Sequence, residues 1–133
     1  MAIKKISILL IDDSEPDNYL HEYLLKKLEE FGPIYSVLNV EKAIETLVQL
    51  SKEEEMPNII MLDINMPRMN GWDFLDHSLS TKDYDISKSD VYMLTTSLNP
   101  DDKKKALEAY NLKGFFNKPL KLEYIQSILT QFD

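Results

Sequence analysis

The chain of 133 residues contains no cysteine and a single arginine, Arg68. Without cysteine it can form no disulfide, no thiolate metal site and no thiol nucleophile. One arginine leaves no cluster that could bind phosphates in bidentate fashion. Positive charge is scarce overall, since 15 basic residues face 23 acidic ones and the net charge is −8. That balance argues against direct nucleic-acid binding and suits a protein that meets protein partners or a cation.

Long apolar runs are also missing. No segment approaches the roughly 20 apolar residues that a transmembrane helix needs. The N-terminal segment 1–6 lacks the long apolar region and the small-residue cleavage site of a signal peptide. We therefore expect a soluble, cytoplasmic protein without membrane insertion, built as one domain over residues 1–133.

Short apolar runs alternate with amphipathic segments along the whole chain. Each apolar run predicts a strand, and apolar residues at helical spacing follow each of them. Alternating strands and helices predict an α/β protein whose parallel sheet is covered on both faces. Right-handed crossovers then favour a doubly wound, three-layer α/β/α arrangement. The predicted strands are 6–11, 34–38, 59–62, 91–94 and 113–116.

The helix boundaries are predicted from capping residues, from glycine and proline, and from the spacing of apolar residues. The first helix is predicted to begin after Ser14 and to end at Gly32-Pro33. Asn39 and Asn99 are predicted N-caps of the second and fourth helices. The helix after Gly71 should turn Leu79 inward, and 80–89 reads as a polar loop or frayed helix end. The apolar stripe predicted for the first helix consists of Leu20, Tyr23, Leu24, Leu28 and Phe31.

Polar groups follow four of the five predicted strands. The carboxyl ends of parallel strands meet at one edge of a sheet, where open α/β folds keep their ligands. Taken singly, each of these residues is ordinary turn or surface chemistry, but four such strand ends together favour a site. The residues are Asp12 and Asp13 after the first strand, Asp63 after the third, Thr95 after the fourth and Lys118 after the fifth.

Charge suggests what this site does. Three clustered carboxylates repel one another, and a hard cation such as Mg²⁺ relieves that repulsion. The carbonyl of Asn65, two residues after Asp63, offers a further oxygen ligand. A metal would keep Asp63 ionised and offset charge on an incoming phosphoryl group, which Lys118 and the Thr95 hydroxyl could also contact. The residues thus favour an aspartyl-phosphate site.

Four segments of the chain resemble the motifs of response-regulator receiver domains, and the resemblance runs from Ile6 to the last helix. They are Asp12-Asp13, the segment 63–71, Leu94-Thr95-Thr96-Ser97 and Asn117-Lys118-Pro119. The resemblance implies a flavodoxin-like (βα)5 fold with strand order 2-1-3-4-5.

The same resemblance implies roles for individual residues. Asp63 is expected to be the phosphoacceptor, Thr95 the switch hydroxyl and Lys118 the phosphate contact. Mg²⁺ is expected on Asp12, Asp13, Asp63 and the backbone carbonyl of Asn65. Phe115, three residues before Lys118, holds the switch-aromatic position, although a plain core phenylalanine is an equal alternative. The Lys118-Pro119 peptide is expected to be cis.

By this resemblance the chain is a stand-alone receiver of two-component signalling. A sensor histidine kinase or a histidine phosphotransfer protein is the expected donor, and an output protein of unknown identity is the expected receiver of the signal.

The alternative is a Mg²⁺-dependent phosphohydrolase with an aspartyl nucleophile. Such enzymes usually carry a second Asp where this chain has Asn65, so we expect no enzyme acting on a separate substrate. A third reading is a binding module that is never phosphorylated. His21 and His77 are expected to be surface histidines, with a docking role for His21 a weaker option.

Overall fold

The computed structural model describes residues 5–132. The elements in chain order are β1 (Ile6–Ile11), α1 (Glu15–Lys26), β2 (Phe31–Val37), α2 (Val40–Lys52), β3 (Ile59–Leu62), α3 (Gly71–Ser80), β4 (Asp90–Thr95), α4 (Pro100–Lys104), β5 (Gly114–Asn117) and α5 (Leu122–Gln131). The five strands form one parallel sheet in the order β2-β1-β3-β4-β5. The predicted fold and strand order are confirmed.

Successive side chains along a strand point to opposite faces of the sheet and form two separate hydrophobic cores. On β1, Ile8 and Leu10 pack with residues of α1 and α5. Leu9 and Ile11 point to the other face, where α2, α3 and the segment after α4 supply the partners. The sheet is therefore covered on both faces, and none of the helices within residues 5–132 is long and apolar enough to cross a membrane.

Side-chain caps set the starts of several helices. The side chains of Asn39 and Asn99 accept backbone N–H groups of α2 and α4, as predicted. Asn70 and Asp73 form a reciprocal capping box at α3. Beyond Lys104, α4 continues as a π-helical turn over Lys105–Ala109.

The predicted boundary between the first helix and the second strand was wrong. The helix ends at Lys26, and β2 already begins at Phe31, so Gly32-Pro33 lies inside the strand. Proline is tolerated there because β2 is an edge strand and the pairing slips by one residue between its contacts with Ile6 and Ile8.

The predicted inner face of α1 was only partly right. Leu24 and Leu28 of the predicted stripe pack against the core. Leu20 is 55% exposed and Tyr23 is also exposed, whereas His21, expected at the surface, is only 5% exposed. The buried residues of the helix are Asn18, His21 and Leu25, which share one face by their spacing. The half of that face nearest the strand ends is polar because it lies against polar groups there.

The helix α3 and the loop that follows it differ from the prediction in two ways. Leu79 points to solvent, 67% exposed, while Phe74 and Leu75 take the inner positions. The polar loop 80–89 contributes to the core, because Tyr84 is buried and its hydroxyl lies 2.7 Å from the Ser78 hydroxyl. A short 3-10 turn over Ile86–Lys88 completes the loop.

Tyr84→Phe is expected to lower the free energy of unfolding by about 1–2 kcal/mol, because it leaves the buried Ser78 hydroxyl without its partner. Urea unfolding followed by circular dichroism measures the change. Tyr19→Phe removes the same atom from an exposed ring and should leave stability unchanged. Equal effects in the two variants would show that the buried hydroxyl pair does not hold the loop.

Candidate functional site

Backbone hydrogen bonds bring the four predicted strand ends to one edge of the sheet. The Asp12 N–H donates to the Val37 carbonyl at 3.2 Å, and the Asp63 N–H donates to the Ile11 carbonyl at 3.0 Å. The Lys118 N–H donates to the Thr95 carbonyl at 2.9 Å. Asp12, Asp63 and Lys118 thus lie one residue beyond β1, β3 and β5, and Thr95 is the last residue of β4.

The three predicted carboxylates converge. One ligand atom from each of Asp12, Asp13 and Asp63 lies within 4.8 Å of the others. Asp12 and Asp63 are buried and Asp13 is exposed, so the group opens to solvent on one side. Asp63 Oδ1 is buried and has no hydrogen-bond partner. An all-oxygen set with one such oxygen fits a hard divalent cation.

Lys118 supplies the counter-charge for these acids. Its Nζ lies 2.5 Å from Asp12 Oδ2, 2.9 Å from Asp17 Oδ2 and 3.4 Å from Asp63 Oδ2. Burial alone would lower the pKa of Lys118, but the hydrogen bonds to Asp12 and Asp17 and the charge of Asp63 raise it well above its usual range. Burial raises the pKa of Asp12, and the hydrogen bond from Lys118 only partly opposes this. The lysine is therefore charged and shared by three carboxylates.

Asp17 is the member of this site that the sequence did not reveal. It lies in the first turn of α1, where acids are common because they favour the helix dipole. The hydrogen bond from Lys118 lowers the pKa of Asp17. The available signal was its position within one turn of the acidic end of β1, which keeps it near the same sheet edge.

Thr95 is fully buried at the end of β4. Its Oγ1 accepts the N–H of Ser97 at 3.3 Å. The Ser97 hydroxyl in turn donates to Asp102 Oδ2 at 2.5 Å, and Asn117 Nδ2 donates to the Ser97 carbonyl at 2.5 Å. A hydrogen-bonded path therefore links Thr95 to the first turn of α4 and to the end of β5.

The loop after Asp63 folds back closely on its own start. The Gly71 N–H donates to the Ile64 carbonyl at 2.8 Å. A Cβ at Gly71 would lie 2.5 Å from the Asp63 carbonyl oxygen, so only glycine fits there. Asn65 is exposed within this loop, and its role as a carbonyl ligand stays a prediction. The sequence indicated only that a helix follows Gly71, and the close approach is visible only in the three-dimensional structure.

Three further features of the prediction concern Phe115, the Lys118-Pro119 peptide and His21. Phe115 is half-buried on β5, opposite Met93 in the sheet register, and packs against the core on the α2 and α3 side. Its role as a switch stays a prediction. The Lys118-Pro119 peptide is cis, as expected. His21 lines a small cavity together with Asp12, Asn18 and Asp63, and burial lowers its pKa.

Comparison with known proteins places this geometry in a family. Residues 8–130 match the model of the response regulator receiver domain. The chain is 29% identical over 133 residues to two-component response regulator 24 of Arabidopsis thaliana, and the match covers 100% of this chain and 88% of that protein. It is 26% identical over 130 residues to the osmosensing histidine protein kinase SLN1 of Saccharomyces cerevisiae, where the match covers 96% of this chain but 10% of the kinase.

A solved structure agrees with both matches. The crystal structure of a two-component response regulator from Cytophaga hutchinsonii superposes with a TM-score of 0.89 and 32% identity, covering 97% of this chain and 98% of that one. The sheet order, the converging acids and the matched residues 8–130 all agree with one assignment. The chain belongs to the response regulator receiver domain family of two-component signalling.

Proposed function

We propose that the chain is a phosphoacceptor of a two-component phosphorelay, and that Asp63 receives the phosphoryl group from a partner's phosphohistidine. The observation that carries the proposal is the state of Asp63. Its carboxylate is buried at the sheet edge, one of its oxygens has no hydrogen-bond partner, and the other faces the charged Lys118. A buried carboxylate held beside a cation is poised for attack on an electrophile.

In the proposed transfer, a carboxylate oxygen of Asp63 forms a bond to phosphorus while the N–P bond of the phosphohistidine breaks. The freed imidazole nitrogen takes up a proton. Mg²⁺ held by Asp12, Asp13, Asp63 and the Asn65 carbonyl would supply positive charge against the oxygens of the transferring group. Lys118 donates hydrogen bonds to the same oxygens, and the Thr95 hydroxyl donates one once the group is attached.

The output follows from the hydrogen bonds of Thr95. When its hydroxyl turns toward a phosphoryl group on Asp63, it gives up the Ser97 N–H. Ser97 also contacts Asp102 in α4 and Asn117 at the end of β5. The new bond therefore biases a balance between two arrangements of this surface, which an output protein would read by contact. Phe115 on β5 would move with it as the switch aromatic.

The donor would dock beside Lys118. A groove of about 520 Å³ lies between α1 and the segment after β5, and its walls include Leu20, Tyr23, Lys118 and Pro119. Exposed apolar side chains at the rim suit a helical partner, here a sensor histidine kinase or a histidine phosphotransfer protein. The donor and receiver would meet in the cytoplasm.

The rival function is a Mg²⁺-dependent phosphohydrolase with Asp63 as nucleophile. Such an enzyme needs an acid that protonates the leaving group, and Asn65 offers an amide where a carboxylic acid would stand. The proposal therefore limits the chemistry to self-phosphorylation from phosphodonors and loss of the phosphoryl group to water.

Incubation with acetyl phosphate tests the proposal. We expect one added phosphoryl group by intact-protein mass spectrometry, its appearance dependent on Mg²⁺, and its loss in hydroxylamine, which cleaves acyl phosphates. A chain that takes up no label with Mg²⁺, or takes it up equally in EDTA, would overturn the proposal. Steady turnover of phosphate monoesters would favour the hydrolase instead.

A further inference from the structure

We infer that Asp17 is a positioning residue for Lys118: it draws the ammonium toward α1, which favours a divalent cation at the three acids and opposes a phosphoryl group on Asp63. The inference rests on the proposed function and names a device that tunes the same site. It follows from which atoms Lys118 touches and which of them a cation also needs.

The Lys118 ammonium has three N–H donors and three carboxylate neighbours. The contact with Asp63 is the longest at 3.4 Å, against 2.9 Å for Asp17 and 2.5 Å for Asp12. The group of acids that could hold a metal includes Asp12 and Asp63 but not Asp17. Asp17 thus competes for the lysine without competing for the cation.

The position of Asp17 is fixed by its helix. The Ser14 hydroxyl accepts the Asp17 N–H at 3.2 Å as the N-cap of α1, so the carboxylate is held at the start of a rigid element. The Asp17 side chain is 36% exposed and that of Lys118 is 10% exposed, so water screens the pair only in part. The Asp17 carboxylate is therefore held where it attracts the Lys118 ammonium.

Removal of the Asp17 charge should act in opposite directions on two ligands. Without it, Nζ settles on Asp12 and Asp63, where it competes more strongly with a cation for the same oxygens. The same ammonium then lies closer to an anion attached to Asp63, and one repelling charge is gone. Cation binding should weaken while phosphoryl binding strengthens.

Asp17→Asn tests this against Glu15→Gln, which removes one exposed acid from the same helix turn without touching Lys118. Calorimetry measures the Mg²⁺ dissociation constant, and ¹⁹F NMR measures beryllofluoride binding at saturating Mg²⁺. We expect Asp17→Asn to weaken Mg²⁺ and to tighten beryllofluoride, each by about threefold or more. Glu15→Gln should change each by less than about twofold.

A double-mutant cycle with Lys118→Met separates action through the lysine from charge alone. In the Lys118→Met background, Asp17→Asn should change the Mg²⁺ constant no more than Glu15→Gln does. If Lys118→Met does not fold, the ¹⁵Nζ resonance of Lys118 serves instead, since it should shift in Asp17→Asn and stay in place in Glu15→Gln.

Three results would overturn the inference. They are equal effects of Asp17→Asn and Glu15→Gln, effects of the same sign on both ligands, and an Asp17→Asn effect that is unchanged without Lys118. A wild-type chain that binds neither Mg²⁺ nor beryllofluoride would instead overturn the proposed function, and the inference with it. The two failures are therefore distinguishable.

Discussion

Replacement of Asp63 by Asn should abolish phosphoryl labelling by acetyl phosphate, with the initial rate lowered by at least about 100-fold. The amide keeps the shape of the carboxylate but is not a nucleophile at neutral pH. It also removes one charge from the acids that would hold Mg²⁺. Intact-protein mass spectrometry over a time course, at one fixed Mg²⁺ concentration, measures the loss.

Asp83→Asn is the matched control, because it makes the same change at an exposed aspartate in the loop after α3. It should be labelled at the wild-type rate. Retention of the label in Asp63→Asn would show that the phosphoacceptor lies elsewhere. Peptide mapping would then decide between the other acids and the two histidines, of which His21 lies against the site and His77 does not line it.

Lys118→Met should lower the free energy of unfolding by about 3–5 kcal/mol in the absence of divalent cations. Lys118 is almost fully buried, and it contacts the buried carboxylates of Asp12 and Asp63. Methionine fills much the same volume, so the main loss is the counter-charge of two acids that water cannot reach freely. Urea unfolding in EDTA measures the change.

Addition of Mg²⁺ should restore part of that loss, since the cation would supply the missing positive charge and binds only the folded chain. The stabilisation by Mg²⁺ should therefore be larger in Lys118→Met than in the wild type. Lys113→Met, an exposed lysine just before β5, should shift stability by no more than about 0.5 kcal/mol. A Lys118→Met variant as stable as this control would mean that the acids do not depend on the lysine.

Much of the fold could be predicted from local patterns. A four-residue apolar run that ends on Asp63 already marks a buried parallel strand, and the start of α2 follows from the side-chain chemistry of Asn39. The order of polar residues after successive strands predicts which groups meet at the sheet edge. Such features depend on neighbours in the chain, and that is why the sequence reveals them.

Local patterns do not determine which face of a helix becomes buried. The apolar stripe of α1 through Leu20 suggests an inward face, yet the structure buries His21 and Asn18 instead. The polar partners of Asn18 come from two other segments of the chain, since its Nδ2 donates to the carbonyl of Asp12 after β1 and to that of Val37 in β2. Burial of a polar face is favourable only where such partners exist, and periodicity carries no information about them.

The strand ends therefore mark Asp12, Asp13, Asp63, Thr95 and Lys118 from the sequence alone, because strand direction alone places them on one edge. Only the tertiary structure determines how the charge of Lys118 is shared among the carboxylates at that edge. Asp17 and Lys118 lie 101 residues apart in the chain and 2.9 Å apart in space. An ion pair of that span depends on how α1 packs beside the end of β5, and only the assembled sheet and helices determine that distance.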